Sequence, residues 1–445
     1  MTLLHVFFIL LAGLAGLIFA IPTQSFSRHA ATAADEPAYF QCSASLVESI
    51  PENLTYNRAS PSHASTYFVW NLMINLARRN LTIGSYYWSL LASDVSNVSA
   101  PSAYQGEDIF RRLVEKSSQI NVTIVQNGKQ SPNNDLDALM AAGAKVQWLD
   151  VERLLGEGIQ HAKLWSVDGV HAYLGSANMD WRSLTQVKEL GIFLFNCPEL
   201  VGDLEKVLLA FRTASGPNVT LPLAWPEAAL TKYNRTSPMP VMLNGAPAKI
   251  YITMSPPPLT PPTRNDDLDA ILHIIQEADS YIYVSVMAYA PAVISYSLST
   301  NNQFWPIIDD ALRSASLNRK VEVRLLISHW RHTPASLGGY LSSLRAIHGI
   351  NGARLRVRYF VVPAFTEEQR LVPFGRVNHN KYMVTDKTLY IGTSNWSGDY
   401  FYHTGGAAFV AKEEKNQSSS ASPLLREQLT NIFYRDWNSE YTQEL

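Results

Sequence analysis

Apolar and polar positions along the 445-residue chain follow two alternating periods. Stretches with apolar residues three and four apart predict helices, and short β-branched runs between them predict strands. The pattern reads helix over 66–79, strand in LTIGSYYWSL, helix in GEDIFRRLVEKSS and strand in INVTIVQNG. The helix LDALMAAGA and the strand KVQWLD complete the series. The same order then returns as DLDAILHIIQEA, YIYVSVMAYA, FWPIIDDALRSAS, KVEVRLLIS, LGGYLSSLRAIHG and RLRVRYFVV. Helices alternating with apolar strands predict layered α/β structure, and the return of the series predicts two related halves. Residues 218–264 between them include SPPPLTPP and read as a rigid connection. The expected organisation is a first lobe at 38–217, the connection at 218–264 and a second lobe at 265–445.

The chain opens differently. Residues 3–21 form an uncharged apolar run, so 1–21 is expected to be a secretory signal peptide or an uncleaved signal anchor. Either one sends the remainder across a membrane. Seven Asn-x-Ser/Thr triplets agree with that topology: Asn53, Asn80, Asn97, Asn121, Asn218, Asn234 and Asn416 are candidate glycosylation sites. An eighth, Asn395, lies in a chemical motif and is expected to be buried and unmodified. Cys42 and Cys197 form one bridge in an oxidising compartment or stay as two buried thiols. Two cysteines exclude a disulfide scaffold and a multi-cysteine metal site. Lys plus Arg number 36 against 38 Asp plus Glu, a net charge of −2 that argues against gripping duplex DNA through a broad basic face.

The strongest chemical signal closes each half. HAKLWSVDGVHAYLGSANMDW supplies His161, Lys163 and Asp168, then Gly175, Ser176 and Asn178. HNKYMVTDKTLYIGTSNWSGDYF supplies His379, Lys381 and Asp386, then Gly392, Ser394 and Asn395. One His-x-Lys-x4-Asp match would be weak; two, each followed by a Gly…Asn turn at nearly equal spacing, are not coincidence. His and Lys two apart on a strand share a face, so each segment presents an imidazole with an ammonium. Pairing the halves about a pseudo-twofold would bring both sets into one cleft.

Here the chain resembles the phospholipase D superfamily, whose hallmark is this duplicated motif. ESIPENL, GSANMDWRSLTQVKELG, VNHNKYMVTD…YIGTSNWSG, FWPIIDDALR and VRLLIS resemble its animal branch containing phospholipase D types 3 and 4. The resemblance extends from about Phe40 to the C-terminus. It implies two similar α/β sandwich lobes, mixed sheets flanked by helices, packed as a pseudo-dimer. It further implies a lysosomal glycoprotein acting as a 5′-exonuclease on single-stranded DNA and RNA. The alternative it carries is a lipid phosphodiesterase or transphosphatidylase that makes bis(monoacylglycero)phosphate or hydrolyses phospholipid. Relatives form homodimers, though no interface for one is readable here, and membrane contact would run only through an uncleaved N-terminal segment. That branch usually has more disulfides, of which the Cys42–Cys197 pair looks retained.

The residues argue their own chemistry. A phosphodiester repels nucleophiles, so catalysis must neutralise its charge, supply a nucleophile and protonate the departing alkoxide. Lys163 and Lys381 are the expected cations, and Asn178, Asn395, Ser176 and Ser394 the expected substrate contacts. One neutral His attacks and becomes a phosphohistidine while the other, protonated, serves the leaving oxygen. Imidazole chemistry near pKa 6.5 favours mildly acidic pH. The family sets an acidic partner 28 residues after its histidine, which is Glu189 for His161 and Ala407 for His379. A carboxylate steadies the charge of an attacking imidazole, so His161 is expected to be the nucleophile and His379 the general acid/base. Asp168 and Asp386 are expected to brace strand and turn. Trp165, Tyr173, Trp181, Trp396, Tyr400, Phe401 and the Tyr86–Tyr87–Trp88 run are expected to be mainly core, with base stacking the lesser role. His329 and His332 read as solvated loop histidines. No HExxH, EF-hand or P-loop pattern is present, so neither metal nor cofactor is expected.

Overall fold

The computed structural model describes residues 39–95, 101–294, 303–415 and 423–445. The leader at 1–21, Asn97 and Asn416 lie outside the described residues.

The first half begins with β1 (Phe40–Ser49), α1 (Thr66–Leu76), β2 (Asn80–Ser85), α2 (Tyr104–Ser117), β3 (Asn121–Asn127), α3 (Asn134–Ala141) and β4 (Lys145–Leu149). A hairpin of β5 (Leu164–Val167) and β6 (His171–Gly175) follows, then α4 (Trp181–Thr185), β7 (Glu189–Phe195) and α5 (Pro198–Ala214). Capping fixes several helix starts: Ser65 accepts from the Phe68 N–H and Asn133 from that of Leu136.

The second half runs β8 (Met239–Leu243), β9 (Ala246–Ser255), α6 (Asp267–Glu277), β10 (Tyr281–Val286), α7 (Ile307–Arg319), β11 (Glu322–Ser328), α8 (Ser336–Arg345) and β12 (Arg354–Phe360). It ends with β13 (Lys381–Thr385), β14 (Leu389–Gly392), α9 (Gly398–Tyr402), β15 (Gly406–Glu413) and α10 (Leu425–Trp437).

The sheets repeat one plan. The first has the order β1–β7–β6–β5–β2–β3–β4, with β2, β3 and β4 parallel and the other pairs antiparallel. The second has β9–β15–β14–β13–β10–β11–β12 with the same pattern of directions. They join where the start of β1 pairs in parallel with β8, which pairs in turn with β9. Both β8 and β9 fall inside the stretch expected as a connection. β9 holds the same sheet position as β1, so the second half takes its first strand from residues whose flanking prolines mask the β-branched pattern of KIYITM.

One apolar core crosses between the halves, joining Leu190, Ile192 and Phe211 to Ile252, Tyr382, Ile391, Phe409 and Phe433. Separate cores back each sheet: Trp70, Ile109 and Trp165 in the first half, and Ile271, Val284 and Leu312 in the second. Burying such side chains contributes roughly 1.5–3 kcal/mol each. Cys42 and Cys197 are disulfide-bonded, tying β1 to the start of α5.

Candidate active site

The two motifs meet. His161 and Lys163 lead into β5, His379 precedes and Lys381 opens β13, and the two imidazole centroids lie 6.4 Å apart. Each lysine donates to the carbonyl of its own histidine, Lys163 to His161 at 2.5 Å and Lys381 to His379 at 2.6 Å. All four side chains are buried. Backbone bonds cross the junction in matched pairs. His161 N–H donates to Gly405 (2.6 Å) and Gly405 N–H to Ile159 (2.7 Å); His379 N–H donates to Lys188 (2.8 Å) and Lys188 N–H to Val377 (2.9 Å).

That crossing overturns one expectation. Glu189 Oε2 lies 2.8 Å from Nδ1 of His379, in the opposite half, while Nδ1 of His161 faces the Thr393 carbonyl at 2.8 Å. Each histidine takes its Nδ1 partner from the other half, which a residue offset along the chain does not register. The sheet also moves the comparison by one residue: Glu189 pairs with Ser49 as Gly406 pairs with Ser255, so Gly406 and not Ala407 holds the position of Glu189. A Cβ on Gly406 would collide with the hydroxyls of Ser394 and Ser255. Packing excludes a second carboxylate there.

Glu189 is anchored from behind. Neighbouring Lys188 bonds Asp436 on α10 at 2.7 Å, and Asp436 shares Arg435 with Glu48 of β1. These charges are buried and balanced, two of each sign. Removing one partner of such a cluster costs several kcal/mol, about 3–5 in measured cases.

Burial governs the electrostatics. It pushes the Glu189 carboxyl up to about 7 against the pull of Lys381. Burial, Lys163 and Lys381 lower His161 well below an ordinary imidazole, and burial, Lys381 and Lys163 do the same to His379. Burial also brings Lys381 down to about 7. The site concentrates positive charge that a bound anion would stabilise.

Other expected residues divide into three groups. Asn178 and Asn395 line the main cavity, their amide nitrogens donating to Tyr87 (3.3 Å) and Tyr400 (2.9 Å). Asn395 is buried, which leaves its triplet closed to a glycan. Ser176 and Ser394 are fully buried and away from the cavity wall; Ser176 exchanges hydrogen bonds with the Leu190 backbone. They brace the fold, a correction to their expected place as substrate contacts. Asp168 accepts N–H bonds from Arg78, Arg79 and Asn80 (2.7–2.9 Å), and Asp386 from Asp279 and Ser280 (3.1 and 3.2 Å). Each pins the approach to its neighbouring strand, remote from the imidazoles.

The main cavity, about 780 Å³, lies over the histidine pair. Trp165, Tyr173, Trp181, Trp396 and Phe401 are core; Tyr86, Tyr87, Trp88 and Tyr400 line the cavity. His329 does not line it, but His332 does, with Trp330 and Phe374, three residues whose role has no periodic signature in sequence. A second cavity of about 470 Å³ reaches His161 from the side of Glu152, Glu157 and His403. Among the described residues no group of three His, Cys, Asp or Glu side chains is placed to hold a metal.

Comparison with known proteins matches this arrangement. A family model described as "PLD3/4, PLD-like domain" matches residues 57–365. The chain is 45% identical to the 5′-3′ exonuclease PLD3 of Xenopus laevis over 406 residues, 90% of this chain and 81% of that one. It is 43% identical to human 5′-3′ exonuclease PLD3 over 92% of this chain and 82% of that one. For mouse 5′-3′ exonuclease PLD4 the figure is 40%, over 91% and 80%. A phosphatidylserine synthase from Haemophilus influenzae shares the fold, with a TM-score of 0.51 at 10% identity over 85% of this chain and 86% of that one. The chain belongs to the PLD3/4 family of phospholipase D-like proteins.

Proposed function

We propose that this protein is a metal-independent phosphodiesterase that shortens single-stranded DNA or RNA from the 5′ end. Two imidazoles 6.4 Å apart, each above the lysine of its own motif, carry the reading. That spacing admits one phosphorus between two nitrogens, each roughly 3 Å from its reacting atom. The exonuclease names of the relatives support nucleic acid as the substrate.

The carboxylate criterion selects His379 as the nucleophile, reversing the roles drawn from sequence. Glu189 holds Nδ1 of His379 and steadies the charge that develops as Nε2 attacks phosphorus. His161, its Nδ1 fixed by the Thr393 carbonyl, gives a proton from Nε2 to the leaving oxygen. The P–O bond breaks as the N–P bond forms, leaving a phosphohistidine on His379. His161 then takes a proton from water, whose oxygen displaces His379 from phosphorus. Lys163 and Lys381 balance the charge on the non-bridging oxygens, and Asn178 and Asn395 offer them amide N–H donors. The disulfide and the exposed triplets at Asn53, Asn80 and Asn218 support a luminal setting, and the resemblance to phospholipase D types 3 and 4 a lysosomal one; Asn121, also exposed, already gives its amide nitrogen to Asn80 Oδ1. Asn234, half-buried, already uses its amide nitrogen on the Thr263 carbonyl.

The test is incubation at about pH 5–6 with single-stranded 5′-hydroxyl and 5′-phosphate oligonucleotides, duplex DNA, phosphatidylcholine and phosphatidylglycerol, each with and without chelator. Stepwise loss from a single-stranded 5′ end, unchanged by chelator, is expected. Turnover of lipid alone would replace this reading with the lipid one.

A further inference from the structure

Beyond the histidine pair the cavity wall changes character. Arg182, the next cation along it, is engaged by Asp180 at 2.8 Å and by the Pro373 carbonyl at 2.6 Å. A polyanion reaching past the scissile phosphate would find that charge already balanced. What the rim offers is aromatic. His332 stacks on Phe374, centroids 4.7 Å apart and planes at 19°, and Trp330 meets His332 edge-on at 4.7 Å.

These rings are held in place. Phe374 is 57% exposed and sits at φ +56°, a left-handed conformation that a bulky side chain rarely adopts. Its loop is fixed on both sides, by the Arg182 bond to Pro373 and by the Arg376 N–H donating to Gln186 at 3.0 Å. The Trp330 turn is closed by two bonds to Thr333, each 2.9 Å. Backbone held in a sparsely populated region so as to keep a ring in water is the pattern of a ligand contact.

We infer that Trp330, His332 and Phe374 form a base-stacking ledge for the strand beside the scissile phosphate, an assignment that rests on the nuclease reading above. A nucleobase offers a flat π-face whatever its identity, and that face is free only when the strand is single. The ledge therefore selects single strands without reading sequence. It gives affinity that salt weakens little, because stacking releases no counterions.

An abasic scan tests this. A single abasic residue is placed in turn at each of the first four nucleotides of an oligonucleotide, and kcat/KM is measured for the full chain and for Phe374→Ala and Phe374→Trp. In the unaltered protein one position should cost about tenfold. Phe374→Ala should lose about the same factor on the intact strand and nothing further on the abasic one, while Phe374→Trp restores the intact-strand rate. An undiminished abasic penalty in Phe374→Ala, or a flat scan in a protein that still shortens oligonucleotides, overturns the ledge alone. Lipid turnover with no shortening of any oligonucleotide overturns the nuclease reading and the ledge together.

Discussion

The two halves share a strand order, a turn brace and a lysine-to-histidine bond, and they part at one contact. Nδ1 of His379 faces a carboxylate; Nδ1 of His161 faces a backbone carbonyl. An anion favours imidazolium more than a neutral dipole does, although burial and the two lysines hold both histidines well below an ordinary imidazole. The distinguishing group comes from the opposite half. Two copies of a motif can thus divide a reaction without differing in the motif itself.

The largest test of that division replaces each histidine. His379→Asn should lower kcat on the order of 10⁴–10⁶-fold for any diester. His161→Asn should lose about 10²–10⁴-fold on an oligonucleotide and recover most of it when p-nitrophenolate, needing no proton, is the leaving group. Trapped phosphoenzyme in His161→Asn and none in His379→Asn would confirm the order; the reverse result restores the opposite roles.

Glu189→Gln keeps an acceptor near Nδ1 but cannot ionise as the imidazolium forms, and kcat should fall about a hundredfold to a thousandfold. Equal loss for p-nitrophenyl and alkyl leaving groups would tie that effect to attack rather than to departure. A pH profile follows from the same charges. One histidine must be protonated in the free enzyme, and burial with two lysines lowers both, so kcat/KM should decline with rising pH through a limb below about 6.5. Burial pushes the Glu189 carboxyl up to about 7, so it is largely protonated across that limb, and Glu189→Gln should leave the limb nearly in place; a marked move in either direction would contradict that protonation state.

Stability tests are smaller. Gly406→Ala forces a Cβ between two buried hydroxyls and should cost about 1–3 kcal/mol in urea unfolding, whereas an unstrained site would tolerate it. Asp168→Asn should cost about 1–2 kcal/mol and Asp386→Asn about 1, in keeping with three N–H bonds against two. Burial raises the Asp168 carboxyl, but N–H bonds from Asn80, Arg78 and Arg79 outweigh it and hold the group below the usual range. Its contribution is present above the unfolded pKa near 3.9 and lost as pH falls through the folded value.

Much of this was legible because repetition is a one-dimensional signal. Helix and strand periods placed α1 to α3 and α6 to α8, and the doubled spacing placed His161, Lys163, His379 and Lys381 at strand entrances. Tertiary exchange was not legible. Glu189 stands 28 positions after His161 yet serves His379, because its strand begins at the junction and points across it. The near-match of Ser176 and Ser394 misled in another way: position for position Ser176 matches Thr393, whose carbonyl faces His161. The Trp330–His332–Phe374 grouping joins a turn and a loop 42 residues apart, and short loops carry no hydrophobic period to announce a cavity wall.

The glycine at 406 has a wider meaning. Were the halves separate copies of one polypeptide, every codon would be expressed twice, and a carboxylate placed against one histidine would oppose the other as well. A covalent tandem lifts that constraint, letting one half keep an acid where the other closes the space with a hydrogen atom. Symmetry breaking of this kind is open to a fused pair and closed to a homodimer of identical halves. Duplication here does more than double a binding surface: it leaves twin histidines with unlike neighbours, which is what the proposed roles of nucleophile and acid require.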